Sequence, residues 1–419
     1  MLAVMADLWL ISVPLDKTSS SSVEQLKLSI AKTNQASCCK FSIPDLKVGV
    51  LDSLLSTSEN LFRLDTLTES VIKKTRQCIK DVMGQSPDNM VQKTSVSRDH
   101  NIEKKVVVSP LKAYLQSVRA EMMSCVTRFQ WDKAKYPTAL PLSSLVDIIN
   151  KDVSQVETEL TSRAAAYSSL NTSLQSLECK LDGGLLTRSL NGIIRKEDLV
   201  VSEYLTTVLV VVSRGSYLQW EKTYESLSEF VVPRSSRKLY EDGEGGIFSV
   251  TLFKRAVFDF KAKAQEKRFT LREYSFDLEE EKLQERKQLS VYKNEQYGTF
   301  VRWLKVNYSE MFTTWIHLKA LRVFVESVLR YGLPVRYQAL LLHTDSKSSR
   351  KVKEELASLF RHLDPTANVK SNKSDQICDI PGLCQQEYFS YVCFDINTKV
   401  LEITEQSASV RGTHCSIKQ

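Results

Sequence analysis

The stretch Val153–Leu181, VSQVETELTSRAAAYSSLNTSLQSLECKL, carries the most regular pattern in the chain. Val153, Val156, Leu160, Ala164, Tyr167, Leu170, Leu174, Leu177 and Leu181 follow one another at intervals of three or four residues, the spacing of an apolar seam down one side of a helix. Gly183 and Gly184 stop it. At a rise of about 1.5 Å per residue the helix spans on the order of 43 Å, long for a globular domain. Such a seam needs a partner, which is either a returning helix of the same chain or a helix of another chain. The first is favoured, because a helix in cis is present at a much higher effective concentration.

A candidate for the return follows. Val257, Phe260, Ala264, Leu271, Tyr274, Leu278, Leu289 and Tyr292 resume the helical period, interrupted by charge at Lys267, Glu281 and Glu285. Between the two patterns, Leu185 to Leu252 has a different texture. Val208 to Val212 and Phe230 to Val232 are β-branched runs, Tyr217 to Leu227 reads as helix, and Gly243 to Gly246 makes a turn before the apolar run Ile247 to Phe253. This predicts a small α/β lobe inserted between two long helices, which must run out and back and so pack antiparallel, Leu160–Leu181 against Val257–Leu278.

Outside this insertion the chain opens with Leu8 to Val13, LWLISV, a short apolar run closed by Pro14 and a Ser-rich turn, as a buried strand would be. A helix is expected from Val23, and two amphipathic helices between Val50 and Met83, where Leu51, Leu54, Leu55, Leu61, Leu64, Leu67, Val71 and Ile72 keep the period. Gly84 to Asn101 reads as a loop, and Pro110 begins a helix reaching about Gln130. Phe300 to Leu329 is a Trp- and Leu-rich buried helix ended by Gly332 and Pro334. Two strand-like runs come last, Arg336 to His343 and Tyr391 to Ile396, separated by a helix at Lys351 to His362; they are the expected partners of Leu8–Val13, since no isolated strand is stable in water. The fold class expected is α+β, mainly helical, an elongated dumbbell of two α/β lobes joined by a long antiparallel helical neck.

Composition narrows the function classes. The chain has 419 residues, more than one hydrophobic core usually spans, with 42% hydrophobic and 26% charged residues and only 13 Gly and 10 Pro. Fifty-seven Lys and Arg against 50 Asp and Glu leave a net charge of +7, a mild excess interleaved with acids and well short of a nucleic-acid signature. Nine scattered Cys, with no secretory leader in the opening residues, suit a reducing cytosol. No apolar run approaches the 20 or so residues of a membrane span, so membrane contact is expected only through a partner.

No active site emerges. A phosphate cradle needs a Gly-rich loop followed by Lys and Ser or Thr, and Gly183-Gly184 and Gly243 to Gly246 lack that Lys; helix stop and turn are their expected roles. Cys378, Cys384 and Cys393 offer no CxxC pair and no close His, and the adjacent Cys38 and Cys39 do not readily share one metal. His100, His317, His343, His362 and His414 are scattered, there is no GxSxG elbow, and His317 and His343 read as satisfied core imidazoles. The acidic run Asp277 to Glu285, mixed with Lys282, Arg286 and Lys287, reads as a solvated helix face. No catalytic residue, cofactor-binding residue or metal ligand is therefore assigned.

Longer strings are more specific than these motifs. LWLISVP at Leu8–Pro14, FSIPDLKVGVLDSLL at Phe41–Leu55, FQWDKAKYPTALPLSSL at Phe129–Leu145, KEDLVVSEYLTTVLVVV at Lys196–Val212, FVVPRSS at Phe230–Ser236 and VTLFKRAVFDFKAKAQEKRF at Val250–Phe269 resemble, in order, the C-subunit family of V-type proton ATPases. The longest, RWLKVNYSEMFTTWIHLKALRVFVESVLRYGLPVRYQALLL, covers Arg302–Leu342, and the resemblance extends from about Ala6 to Ile403. Met1–Met5, Gly84–Glu103 and Thr404–Gln419 depart from it. The resemblance implies a head, neck and foot: residues 1–150 as the first part of the foot lobe, 151–184 as one neck helix, 185–252 as the head lobe, 253–293 as the other neck helix, 294–403 as the rest of the foot and 404–419 as a disordered tail.

It further implies a non-catalytic member of the cytoplasmic V1 sector, without cofactors, acting as a stator that tethers the catalytic sector to the membrane sector and serves assembly, coupling and reversible dissociation. Its head would hold the paired E and G subunits of one peripheral stalk, and its foot a second stalk and the amino-terminal cytoplasmic domain of the membrane sector's a-subunit. The chain would lie on the cytosolic face of acidified organelles or the plasma membrane. Some members of the family are associated with actin filaments, and an unrelated cytoskeletal or coiled-coil adaptor is the alternative class.

Overall fold

The computed structural model describes residues 6–15, 24, 26–28, 36–84, 110–181, 183–190, 193–334, 336–345, 348–363 and 391–397. In chain order the elements are β1 (Ala6–Pro14), β2 (Ala36–Lys40), α1 (Leu51–Gly84), α2 (Pro110–Thr127), α3 (Leu142–Leu181), β3 (Leu205–Ser213), α4 (Tyr217–Thr223), β4 (Arg237–Glu241), β5 (Gly245–Phe253), α5 (Val257–Glu266), β6 (Thr270–Arg272), α6 (Phe276–Tyr331), β7 (Tyr337–Asp345), α7 (Ser349–Leu359) and β8 (Val392–Ile396). They group into two compact units, residues 1–162 with 300–419, and residues 163–299. The expected loop from Gly84 lies, after Gly84 itself, outside the described residues, as do the tail from Thr404 and Val23.

In the first unit β1 is an inner strand of an antiparallel sheet ordered β2-β7-β1-β8. It pairs with both carboxy-terminal strands, Leu10 opposite Leu341 on one side and Phe394 on the other, as its apolar run requires. Alternation then divides its side chains. Trp9, Ile11 and Val13 enter a core with Leu340, Leu342 and, from α7, Val352 and Leu356. Ser12, on the other face, meets α6, its hydroxyl 2.6 Å from that of Ser327, and its carbonyl accepts the Tyr331 hydroxyl at 2.6 Å.

The two helices expected between Val50 and Met83 are one, the 34-residue α1. The apparent gaps in its stripe are threonines. Thr57, Thr68 and Thr75 donate their hydroxyls to the carbonyls of Ser53, Leu64 and Val71 four residues back, so buried Thr positions carry the apolar face through. The helix from Pro110 is α2, ending at Thr127 and burying Leu115, Val118, Met122 and Val126. The Phe300–Leu329 segment is helical to Tyr331, where Gly332 takes a left-handed φ of 77°. Leu318, Ala320, Leu321, Val323 and Val325 are all fully buried, so this half of α6 is covered nearly all round and runs through the interior of its unit, with Thr314, His317, Lys319 and Ser327 buried among the apolar residues.

In the second unit a sheet ordered β4-β5-β3-β6 is covered on both faces. Val210, Val212, Phe248, Val250 and Leu252 point to α4 and α5, where Trp220, Phe260, Ala264 and Phe269 complete the larger core. Leu209 and Ile247 point the other way, against Leu185, Leu190 and Ile194. The Phe230–Val232 run is not a strand: Val231 makes a single bridge to Leu252, and the segment's ladder ends there. Gly245 and Gly246 belong to β5 rather than to the turn. A Cβ on Gly245 would stand 2.4 Å from the Val212 carbonyl oxygen, and one on Gly246 2.9 Å from the Tyr240 carbonyl oxygen of β4, so the close strand packing itself demands glycine.

The second long helix begins later than expected. Val257–Glu266 is a short helix packed on the sheet; it stops because Arg268 adopts φ 64° and the Phe269 N–H returns to the Ala264 carbonyl at 2.9 Å. Thr270–Arg272 then joins β3 as an edge strand, and the 56-residue α6 starts only at Phe276. The expected partner of α3, Val257–Leu278, is therefore replaced: its first part belongs to the sheet unit, and α3 meets residues further along α6. Within the second unit Glu178 pairs with Arg286 at 3.5 Å; within the first, the Trp303 indole N–H donates to Glu159 at 3.2 Å. Of the seam, Val153, Leu160, Tyr167 and Leu174 are buried and Val156, Ala164, Leu170 and Leu177 half-buried.

Candidate functional site

Buried titratable side chains of the described residues have partners within their own units. His317, on α6, is buried beneath the loop that joins α2 to α3. Its ring lies about 5 Å from Phe129, Trp131 and Tyr136, and Phe129 stacks on Phe41 at 4.4 Å. The Asp132 backbone N–H donates to Nε2 at 3.0 Å, so Nδ1 carries the proton and donates to the Thr313 carbonyl at 2.8 Å. Burial holds this imidazole below its ordinary pKa and in the neutral form that the two bonds require. The Asp132 carboxylate accepts from the N–H groups of Lys135 and Ala134, which hold its pKa down. A cavity of about 440 Å³ opens beside this loop, yet its cation, Lys135, is already paired with Glu310 at 2.8 Å and Asp152 at 3.2 Å. His343 is half-buried on β7, between its partners Leu8 and Ser37.

Among the described residues no group of three or more His, Cys, Asp or Glu is placed to hold a metal ion. Cys38 is half-buried, its thiol pushed up to about 11 by burial, and Cys39 is exposed. Cys378, Cys384, His100 and His414 lie outside the described residues, while Cys393 sits on β8. The run Asp277–Glu285 is an exposed helix face at Glu280, Glu281 and Glu285, but Glu279 departs from it: it is buried, accepts the Ser189 hydroxyl at 2.9 Å and lies 4.0 Å from Arg272. Arg272 in turn donates to the carbonyls of Leu185 and Arg188, tying β6 to the segment that follows α3.

Sequence reading also passes over a buried cluster in the first unit. Asp65 of α1 accepts the Trp315 indole N–H at 2.7 Å and Lys319 Nζ at 2.9 Å, and also receives Arg322. The signal was a charged residue at a core-spaced position on each side: Asp65 between Leu64 and Thr68, and Lys319 inside an apolar helix. The Asp65 cluster joins α1 to α6, and the Glu279–Arg272 cluster joins the start of α6 to β6 and to the segment after α3.

What the structure does expose is an aromatic platform on the second unit, at the end of the sheet where β3 begins and β5 ends. Phe258 is 82% exposed, Val201 73% and Tyr204 66%. The Phe230 and Phe253 rings, also exposed, meet edge to face at 6.2 Å. The Arg255 guanidinium lies over Phe230 at 3.9 Å and over Phe253 at 5.9 Å. The helical period puts Phe260, with Val257 and Ala264, on the covered face and leaves Phe258 off it, and Phe260 is fully buried where Phe258 is exposed.

Comparison with known proteins places this geometry in a family. Residues 8–392 match the family of V-ATPase C subunits. The chain is 47% identical over 405 residues to the C 1-B subunit of the V-type proton ATPase of Danio rerio, an alignment that covers 95% of this chain and 100% of that protein. It is 45% identical over 404 residues to the V-type proton ATPase C 1 subunits of Rattus norvegicus and Mus musculus, with the same coverage. The chain belongs to the V-ATPase C-subunit family.

The strings that resemble this family fall on elements that organise the two units. LWLISVP is β1, the inner strand that holds both carboxy-terminal strands, and FQWDKAKYPTALPLSSL is the loop closed over His317. FVVPRSS and the start of VTLFKRAVFDFKAKAQEKRF supply Phe230, Phe253, Arg255 and Phe258 of the exposed platform. Among the described residues of this V-ATPase C-subunit chain, no helix is long and apolar enough to cross a membrane.

Proposed function

We propose that this chain is a non-catalytic stator component of the V1 sector of a proton-translocating V-ATPase. It works on the cytosolic face of acidified organelles or the plasma membrane and touches the membrane only through the complex. The observation that carries this reading is the family match over residues 8–392, with 45–47% identity to C 1-type subunits along 95% of the chain. Its mechanism is mechanical. ATP hydrolysis in other subunits turns a rotor, and the stationary ring must be held against that torque for protons to move. A tether between stalks and membrane sector supplies the restraint, and its release separates the sectors.

In this reading a head centred on residues 185–252 binds the paired E and G subunits of one peripheral stalk. A foot drawn from residues 1–150 and 294–403 binds a second stalk and the amino-terminal cytoplasmic domain of the a-subunit, and residues 151–184 and 253–293 form the neck. Two attachments on one chain hold by avidity while both are engaged and let go quickly once either is lost. The test is affinity purification of the tagged full-length chain at low ionic strength. Recovery of V1 subunits, E and G among them, is expected. Recovery of actin without any V1 component would overturn the assignment in favour of a cytoskeletal adaptor, and saturable micromolar ATP binding by the pure chain would overturn its non-catalytic part.

A further inference from the structure

The loop between α2 and α3, residues 128–141, is closed on itself. The Asp132 carboxylate accepts the N–H groups of Ala134 and Lys135 at 2.9 and 3.0 Å, and the Asp132 carbonyl accepts the Tyr136 N–H at 2.9 Å. The Trp131 indole N–H donates to the Tyr136 carbonyl at 2.8 Å. These bonds run within the loop and survive its separation from the rest of the fold, so it can lift as a unit.

Its fastening to α6 depends on the state of one ring. The Asp132 N–H donates to His317 Nε2 at 3.0 Å, 185 residues away along the chain, while Nδ1 donates to the Thr313 carbonyl at 2.8 Å. An imidazole does both only when it is neutral. A proton on Nε2 sets one N–H against another, and the ring has little room to turn aside, since Phe129, Trp131 and Tyr136 stand about 5 Å from it. The ring also lines the cavity of about 440 Å³ beside the loop, and the exposed Val306 in the cavity wall marks its opening to solvent, the route by which a proton arrives. The same loop carries Lys135, which lies 2.8 Å from Glu310 of α6 and 3.2 Å from Asp152 of α3. Lys135 ties those two helices together for as long as the loop stays down.

We infer that residues 128–141 form a proton-released latch: protonation of His317 at Nε2 expels the Asp132 N–H, lifts the loop from α6 and withdraws Lys135 from between Glu310 and Asp152. The groups that face the ring set its sign. Burial disfavours the imidazolium most strongly; the Thr313 carbonyl and the Asp132 carboxylate favour it, and Lys135 opposes it. Tyr136 of the loop and Glu310 of α6 line the same cavity, Asp152 of α3 lies behind Lys135, Arg128 and Lys133 of the loop are exposed, and the segment at Phe41 contributes a ring without charge. The latch is therefore closed at neutral pH and opens below the ordinary histidine value of about 6.5. It belongs to the chain itself and works whatever the chain binds.

The experiment follows hydrogen exchange of the full-length chain from about pH 7.5 to about pH 5, corrected for the intrinsic exchange rate at each pH, alongside the NMR titration of the His317 ring, identified by its contacts with the Trp131 and Tyr136 rings. Below the pH at which His317 titrates, protection of the Asp132, Ala134 and Lys135 amides is expected to fall about tenfold per pH unit, while the amides of β1 and β7 keep theirs. In His317→Gln, whose amide accepts the Asp132 N–H and donates to the Thr313 carbonyl without titrating, loop protection is expected to stay flat; in Asp132→Asn, which keeps the acceptor oxygen, the fall is expected to remain. Loop protection in the parent that does not change with pH, or that persists after His317 has taken its proton, would overturn the latch, and that comparison decides the matter even if His317→Gln does not fold. An unchanged fall in a folded His317→Gln, or a fall abolished by Asp132→Asn, would give the switch to a carboxylate and overturn the role of His317. Equal loss of protection in β1 and β7 would mean acid unfolding of the whole unit in place of a latch.

Discussion

Asp65 pairs with the buried Lys319 and the half-buried Arg322, and its other oxygen holds the Trp315 indole. Asp65→Asn removes the anion and leaves the Lys319 ammonium out of water without its carboxylate, so a loss of about 3–5 kcal/mol is expected in urea unfolding. Converting Asp65, Lys319 and Arg322 together to apolar residues of similar volume should recover most of that loss, because desolvation roughly offsets the attraction within such clusters. If Asp65→Asn unfolds at the parent's midpoint, the cluster is not a cross-link. His317 sets a pH dependence of definite sign. Burial lowers its folded-state pKa, so between the unfolded value near 6.5 and the lower folded value the unfolded chain binds more protons. The contribution of His317 is fully present above about pH 6.5 and is lost as pH falls through its folded pKa. Asp132 also has a lowered pKa, but its contribution fades only in the acid range where carboxylates titrate, a separate window. His317→Gln should therefore flatten the fall in melting temperature between pH 7 and pH 5. An equally steep fall in the variant would locate the titrating group elsewhere.

Tyr167 tests the seam of α3 directly, since it is buried on that helix. Tyr167→Asp places a charge in the seam and should cost several kcal/mol, read as a lowered thermal midpoint and lost helical signal; a melt identical to the parent's would show that the seam is not a packed surface. This seam was legible in the sequence because its spacing never breaks, and β1 was legible because its run is buried on both faces. Element ends were harder to read. Apolar residues alone do not show that Thr57, Thr68 and Thr75 carry α1 onward, since their hydroxyls look polar until they bond within the helix. Nor does the period reveal that Arg268 turns left-handed and separates α5 from α6, because Leu271 and Tyr274 fall at helical spacing from Ala264 by coincidence. The aromatic platform was illegible for a related reason. The period sets Phe258 off the covered face, but only the bridge of the Phe230 segment to β5 brings Phe230, Phe253 and Arg255 together beside it.

Each unit of the molecule has a core of its own, and that division can be tested without cutting the chain. In the second unit the Trp220 ring is fully buried, 5.0 Å from Phe269, 5.7 Å from Tyr224 and 6.2 Å from Phe248, and its indole N–H donates to the Ser236 hydroxyl at 3.0 Å. It thereby ties α4 to the sheet and to the return of α5. Trp220→Ala leaves a large cavity and should cost about 3–5 kcal/mol in the cooperative unit that contains it. The first unit draws its stability from a different set: Trp9, Ile11 and Val13 with Leu340, Leu342, Val352 and Leu356. If the two cores open separately, hydrogen exchange in Trp220→Ala should speed up at the amides of β3 and β5 while those of β1 and β7 keep the parent's protection. Equal loss of protection in both sheets would mean that the chain unfolds as one cooperative body. The distinction bears on the proposed tether. A protein that attaches through two lobes releases cleanly only if one can lose its partner without unfolding the other, and independent protection of the two sheets is the physical condition for that.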